Sequence, residues 1–129
     1  MSLKYRPVKR SNPVKRQNPA MFYPNPVYRD KVNVRQLAKE IARRTSLSTT
    51  DTIAVLEACT EVIPYFLTEG DIVSLGDFGS FRITLKGEGT ATKKKMTAGN
   101  ITDIRVKFRP GKEFSLLVRS AELEKEQES

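Results

Sequence analysis

The sequence predicts an α+β fold in the order helix, helix, short strand, two-stranded ribbon, helix. Three observations carry that expectation. Apolar residues recur at helical spacing from residue 34 to residue 69. Two later stretches, "SFRITLK" and "TDIRVKF", alternate apolar and polar side chains with a period of two. Glycine-bearing corners, "GDFGSF" at residues 76–81 and "FRPGKEF" at residues 108–114, separate these patterns from their neighbours.

The first helix is expected from about Val34 to Thr45. Val34, Leu37, Ala38, Ile41 and Ala42 form one apolar stripe, with Asn33 placed to cap the N-terminus. The opposite face carries Arg35, Lys39, Arg43 and Arg44. A second helix begins after Ser48, where Asp51 follows three residues on as a variant capping box. It is expected to run to about Glu69, stop at Gly70 and kink at Pro64. This helix has two apolar stripes, Ile53, Leu56, Ile63 and Leu67 on one side and Val55, Cys59, Val62 and Phe66 on the other. A helix apolar on two sides must be buried on two sides. So small a domain has few elements to cover both, which points to a partner subunit.

Asp71 to Leu75 reads as a short strand, and Gly76 and Gly79 bracket the turn that follows it. The Asp77-Phe78-Gly79 tripeptide is also found in protein kinases, where it helps to hold magnesium. The 129-residue chain has no kinase glycine loop or catalytic loop and no His, so the tripeptide is read as a corner with Phe78 and Phe81 as apolar anchors. Beyond it, Phe81, Ile83 and Leu85 share one face of a strand, and Ile104, Val106 and Phe108 one face of the returning strand. Arg82 and Lys86, with Arg105, Lys107 and Arg109, fall on the other side. The expected ribbon has an apolar underside and a cationic outer row without an acid. The basic "KKK" of Lys93, Lys94 and Lys95 lies at its far end, where Met96 is expected to pack on the ribbon. A last helix should start near Lys112, with Phe114, Leu117, Val118 and Ala121 as its apolar stripe, and fray into an acidic tail.

Residues 1–31 form a distinct region, followed by a main domain over 32–121 and an acidic tail over 122–129. The first region carries five of the seven prolines (Pro7, Pro13, Pro19, Pro24 and Pro26), so a helix is not expected there. Tyr5–Val8 and Met21–Tyr28 read as extended, the second as an edge strand docked on the domain or as a basic arm that folds on DNA. Lys4, Arg6, Lys9, Arg10, Lys15, Arg16 and Arg29 face only Asp30 in this region, whereas the tail carries Glu122, Glu124, Glu126 and Glu128.

The net charge of +8 favours a polyanionic partner. With no His and a single cysteine, Cys59, the sequence offers no internal disulfide, no Cys-rich zinc site and no catalytic thiol with a His partner. Glu57 and Glu61, one helical turn apart, read as part of a solvated face. No paired carboxylates, activated nucleophile or metal cluster stands out, so an enzyme, a cofactor and a small-molecule substrate are not expected. No apolar run is long enough to span a membrane and no signal-peptide core is visible, so a cytoplasmic setting is expected.

"GDFGSF", "FRPGKEF" and "LAKEIARRTSLS" at residues 37–48, in this element order, resemble the HU and integration-host-factor (HU/IHF) family of bacterial histone-like DNA-binding proteins. The resemblance covers roughly residues 33–120 and, with the added N-terminal segment, is nearest to a subgroup of HU-related proteins carrying such an extension. It implies an intertwined dimer, of identical chains or of paralogues, in which Val55, Cys59, Val62, Phe66, Phe78 and Phe81 meet the partner. It also implies double-stranded DNA held through phosphates and the minor groove, in a nucleoid-associated role. Arg109 and Lys112 would contact phosphates, Arg82, Lys86, Arg105 and Lys107 would line the arm, and Lys93, Lys94 and Lys95 would extend it. Gly111 would let the backbone turn closely into the last helix, whose free N–H groups favour an anion.

The chain departs from that pattern in one informative way. The family's arm usually carries an Asn-Pro whose proline wedges between base pairs, and here no proline lies between Pro64 and Pro110. Met96 is the one large apolar residue near the arm's end that could replace it. Weaker, less bent binding is expected. The competing reading is an HU-like fold used as a protein-interaction or assembly module with weak or no DNA binding.

Overall fold

The structure, a computed structural model, describes residues 2–11 and 19–127. Pro13, Lys15, Arg16 and Glu128, which entered the readings of the two ends, lie outside the described residues. The chain divides into two compact units, one formed by Met1–Lys31 with Leu117–Ser129 and the other by Val32–Leu116.

The first unit is a three-stranded sheet. Strand β1 (Ser2–Arg10) pairs antiparallel with β2 (Met21–Pro26), in a register running from Tyr5 opposite Pro26 to Arg10 opposite Met21. Both stretches expected to be extended are therefore strands. The acidic tail corrects the expectation of fraying: Glu122–Lys125 is strand β6, paired parallel to β1 with Ser2 opposite Glu122 and Tyr5 opposite Lys125. The sheet order is β2-β1-β6. It joins residues about 120 apart in sequence, so the C-terminal residues group with the first region rather than forming a separate tail.

The prolines explain where this sheet stops. The Val27 N–H donates to the Lys4 carbonyl at 2.8 Å, which sets the alternation of hydrogen-bonded pairs along β1 and β2. Pro7, Pro24 and Pro26 all fall at the intervening positions, whose backbone groups point away from the β1–β2 seam. Pro24 and Pro26 therefore remove donors from the outer edge of β2, where proline is tolerated and blocks further pairing. Pro7 faces the β6 side, just past the last bond of that ladder, from the Glu126 N–H to the Tyr5 carbonyl at 2.8 Å.

The second unit begins with helix α1 (Val34–Arg44). Asn33 caps it through the Gln36 N–H at 2.8 Å, and the Gln36 side chain accepts from the Asn33 N–H at 3.0 Å, closing a capping box. Helix α2 (Thr49–Thr68) is capped by Ser48, whose hydroxyl accepts from the Asp51 N–H at 3.0 Å, and it continues through Pro64. Gly70 ends it with φ +89°, a conformation that favours glycine. The two helices pack against each other. Ala38 and Leu67 are the buried apolar residues of the described chain, with Thr52 beside them donating its hydroxyl to the Ser48 carbonyl. The second stripe of α2 is uncovered: Val55, Val62 and Phe66 are 53%, 51% and 44% exposed.

Strand β3 (Val73–Ser74), shorter than expected, pairs with the start of β4 (Gly79–Gly87), which pairs antiparallel with β5 (Ile101–Pro110). Between β3 and β4, Gly76–Phe78 make a single 3-10 turn, and the Leu75 N–H donates to the Gly79 carbonyl at 2.8 Å. The Asp-Phe-Gly is this corner. A Cβ on Gly79 would sit 2.5 Å from the Arg109 carbonyl oxygen, so the residue must be glycine for packing as well as for its φ of +141°. Helix α3 (Lys112–Arg119) follows β5 and precedes β6, and the division between the two units falls within it.

Candidate nucleic-acid interface

The β4–β5 register runs from Gly79 opposite Pro110 to Gly87 opposite Ile101. It places Phe81 opposite Phe108, Ile83 opposite Val106 and Leu85 opposite Ile104 on one face. Ser80, Arg82, Thr84 and Lys86 lie on the other, opposite Arg109, Lys107, Arg105 and Asp103. Thr102 is the extra residue where the register shifts, and its hydroxyl donates to the Lys86 carbonyl at 3.2 Å. The expected cationic row is thus a single surface built by two strands.

That row is not free of acid, which corrects the reading from sequence. Strand β5 begins at Ile101, so Asp103 shares parity with Arg105 and sits on the same face. Its carboxylate takes the Arg105 Nε at 2.7 Å. Among the described residues, Arg82, Lys86, Lys107 and Arg109 have no such ion-pair partner. Arg82 and Lys107 face each other directly across the ribbon. Like charges in that position cost a few tenths of a kcal/mol to about 1 kcal/mol, and an anion seated between them would reverse the sign of the term.

The inner end of the row is fixed by four aromatic rings. Phe81 meets Phe108 at 4.9 Å between centroids, and Phe78 lies 5.5 Å from Phe114 and 5.9 Å from Phe108. Phe78 and Phe81, expected at a subunit interface, are therefore held in a cluster of their own chain, although Phe78 is still 50% exposed. The two glycine motifs interlock here. The Gly111 N–H donates to the Phe78 carbonyl at 3.1 Å, and a Cβ on Gly111 would lie 2.1 Å from the Asp77 carbonyl oxygen. Gly111 thus makes a close backbone approach at the start of the last helix, between Arg109 and Lys112, and its own N–H is bonded to Phe78.

At the outer end, Lys93–Lys95 form an exposed 3-10 turn, followed by a second turn at Ala98–Asn100. Asn100, which the sequence reading passed over, ties the tip to the strands: its carbonyl accepts from the Glu88 N–H at 2.9 Å and its side chain from the Thr97 N–H at 2.9 Å. Met96 lies between the two turns and is 54% exposed, so it does not pack on the ribbon as expected. The ribbon's apolar face is also open. Leu85, Ile104 and Val106 are more than 60% exposed, and a cleft of about 550 Å³ lies between Leu67, Ile72, Ile83, Leu85 and Ile104.

The basic face of α1 behaves differently. Glu40 pairs with both Arg43 and Arg44, and their hydrogen bonds pull its pKa down from 4.5 to about 2. Arg35 and Lys39 make no ion pair among the described residues. Cys59 is partly buried on α2.

The fold is a mixed α+β one of helices and sheets. The chain matches the family described as "HU-HIG: HU domain fused to wHTH, Ig, or Glycine-rich motif" over residues 1–125, and it belongs to that family. It is similar in structure to a "Putative bacterial DNA binding protein" from Bacteroides vulgatus ATCC 8482, with a TM-score of 0.68 at 15% sequence identity. That similarity covers 98% of this chain and 50% of the other, so the chain spans half the length of the solved structure it matches. No curated protein matches it significantly.

Proposed function

We propose that the chain is a sequence-tolerant architectural DNA-binding protein that works as a dimer, of identical chains or of paralogues, in the nucleoid. The observation that carries this reading is the unpaired cationic row of Arg82, Lys86, Lys107 and Arg109 on one face of the ribbon, continued by Lys93–Lys95 at its tip. Such a row suits phosphates, which position a protein on DNA without reading sequence. The family and the description of the structural neighbour support the same partner. The open stripe of Val55, Val62 and Phe66 supports a second copy, because a helix face this apolar is stable only when covered. No enzyme activity, cofactor, small-molecule substrate or membrane contact belongs to the proposal. Without an arm proline, bending of the duplex is expected to be weak.

Fluorescence anisotropy with a duplex of about 30 base pairs tests the DNA reading. Binding at 50 mM salt should fall steeply by 200 mM, because each phosphate contact releases counterions. Absence of binding at 50 mM salt would contradict it and favour the interaction-module reading, to which the uncovered apolar ribbon face lends support. Sedimentation equilibrium tests the dimer: Val62→Glu should shift the wild-type dimer to monomer, and a wild-type monomer at tens of micromolar would refute it.

A further inference from the structure

The two faces of the N-terminal sheet differ in chemistry. Register places Leu3, Tyr5, Pro7 and Lys9 on one face with Phe22, Pro24, Pro26, Leu123 and Lys125. Lys4, Arg6, Val8 and Arg10 share the other with Met21, Tyr23, Asn25, Glu122 and Glu124. On that second face two acids, Glu124 of β6 and Glu126 just beyond it, meet groups of β1. Glu124 accepts from the Ser2 hydroxyl at 2.7 Å and stands next to Lys4, its register partner. Glu126, just past β6, takes the Arg6 guanidinium through two bonds of 2.8 and 3.0 Å. Pro7 stops the ladder there, so Arg10 lies beyond the reach of β6 and donates instead to the Asn25 amide oxygen at 2.8 Å.

We infer that this face of β1 is a second phosphate-binding surface for duplex DNA, masked in part by strand β6. Lys4 and Arg6 stand at alternate positions of one strand, so roughly 6.8 Å separates their side chains on the face. The mask is weakly held. All four residues of β6 are exposed, Arg6 and Glu126 form a solvated pair, and such pairs contribute little and are screened by salt. A four-residue strand whose residues are all exposed opens locally more readily than the body of a domain. DNA phosphates and the β6 carboxylates then compete for the same Lys4 and Arg6. When β6 is displaced, Lys4 and Arg6 are both freed on this face, with Arg10 beyond Val8. The inference shares the DNA partner with the proposed function but not the ribbon.

The test uses the full chain. Glu124→Gln with Glu126→Gln removes the mask's charge and keeps its shape. Affinity for a 30-base-pair duplex at low salt should rise roughly three- to tenfold, and the slope of log affinity against log salt should steepen by about 1.8 for two added phosphate contacts. Adding Lys4→Ala and Arg6→Ala to that variant should cancel the gain. A matched neutralisation on α2, Glu57→Gln with Glu61→Gln, should give no such dependence on Lys4 and Arg6. No gain, or a gain that survives loss of Lys4 and Arg6, overturns the inference. If wild type binds through the ribbon and the variant gains nothing, the proposed function stands and the inference falls. If the ribbon variants lose nothing while the unmasked variant binds through Lys4 and Arg6, the reverse holds.

Discussion

The chain contains two three-stranded sheets rich in Lys and Arg, and they treat their charges in opposite ways. In the N-terminal sheet the acids arrive from the far end of the sequence and line up on the cationic face, as Arg6 with Glu126 shows. In the ribbon the one acid on the row, Asp103, occupies Arg105 and leaves Arg82, Lys86, Lys107 and Arg109 without a partner. Composition alone would favour the N-terminal sheet. The N-terminal unit has ten Lys and Arg against five Asp and Glu, and the helical unit thirteen against ten. What separates a binding row from a neutralised one is which face the acids share, and net charge does not report that.

The largest expected effect breaks this comparison directly. Arg82→Glu with Lys107→Glu should weaken DNA binding roughly 100-fold at low salt and flatten the salt slope by about 1.8. The same reversal at Lys4 and Arg6 should change wild-type affinity by less than about tenfold, because β6 already covers them. Equal losses in anisotropy titrations would erase the distinction. Next in size is the corner that holds the ribbon. Gly111→Ala drives a methyl into the Asp77 carbonyl and should cost about 2–4 kcal/mol in denaturant unfolding. A loss below 0.5 kcal/mol would show that the interlocked motifs can move apart.

A smaller effect concerns the edges. Pro24→Val with Pro26→Val restores outward N–H groups to β2 and should promote strand-mediated association, seen as rising light scattering, while substitutions on the ribbon's outer row should not. The smallest effect is at Glu40. Its folded pKa lies near 2, below the unfolded value of 4.5, so its contribution is present above about pH 4.5 and is lost as pH falls through 2. The pair is fully solvated, so the stability difference between wild type and Glu40→Gln should be slight at pH 7 and should vanish near pH 2. A difference that grows on acidification would contradict the pairing.

Local signals carried much of the fold in the sequence. The caps at Asn33 and Ser48 and the stop at Gly70 mark both long helices, because capping is decided within a few residues. The period-two pattern marks β4 and β5, and with it the residues of the cationic row. What could not be read depends on distant partners. "ELEK" has one apolar residue and looks like a tail, and it becomes a strand only because β1 lies alongside it. Asp103 lies inside "TDIRVKF" at the parity of Arg105, so its face was legible, and what the sequence withheld is its ion-pair partner. Gly111 was expected to allow a close turn, but what it approaches, the backbone of Asp77, 34 residues away, was not legible. In each case the missing information was the identity of the neighbour.

The most direct test is amide chemical-shift mapping of the full chain titrated with a 30-base-pair duplex at low salt. Shifts should concentrate at Arg82, Lys86, Lys93–Lys95 and residues 105–109, with smaller changes at Lys4 and Arg6. Shifts that concentrate on β1 and β2 while the ribbon stays unchanged would contradict the account.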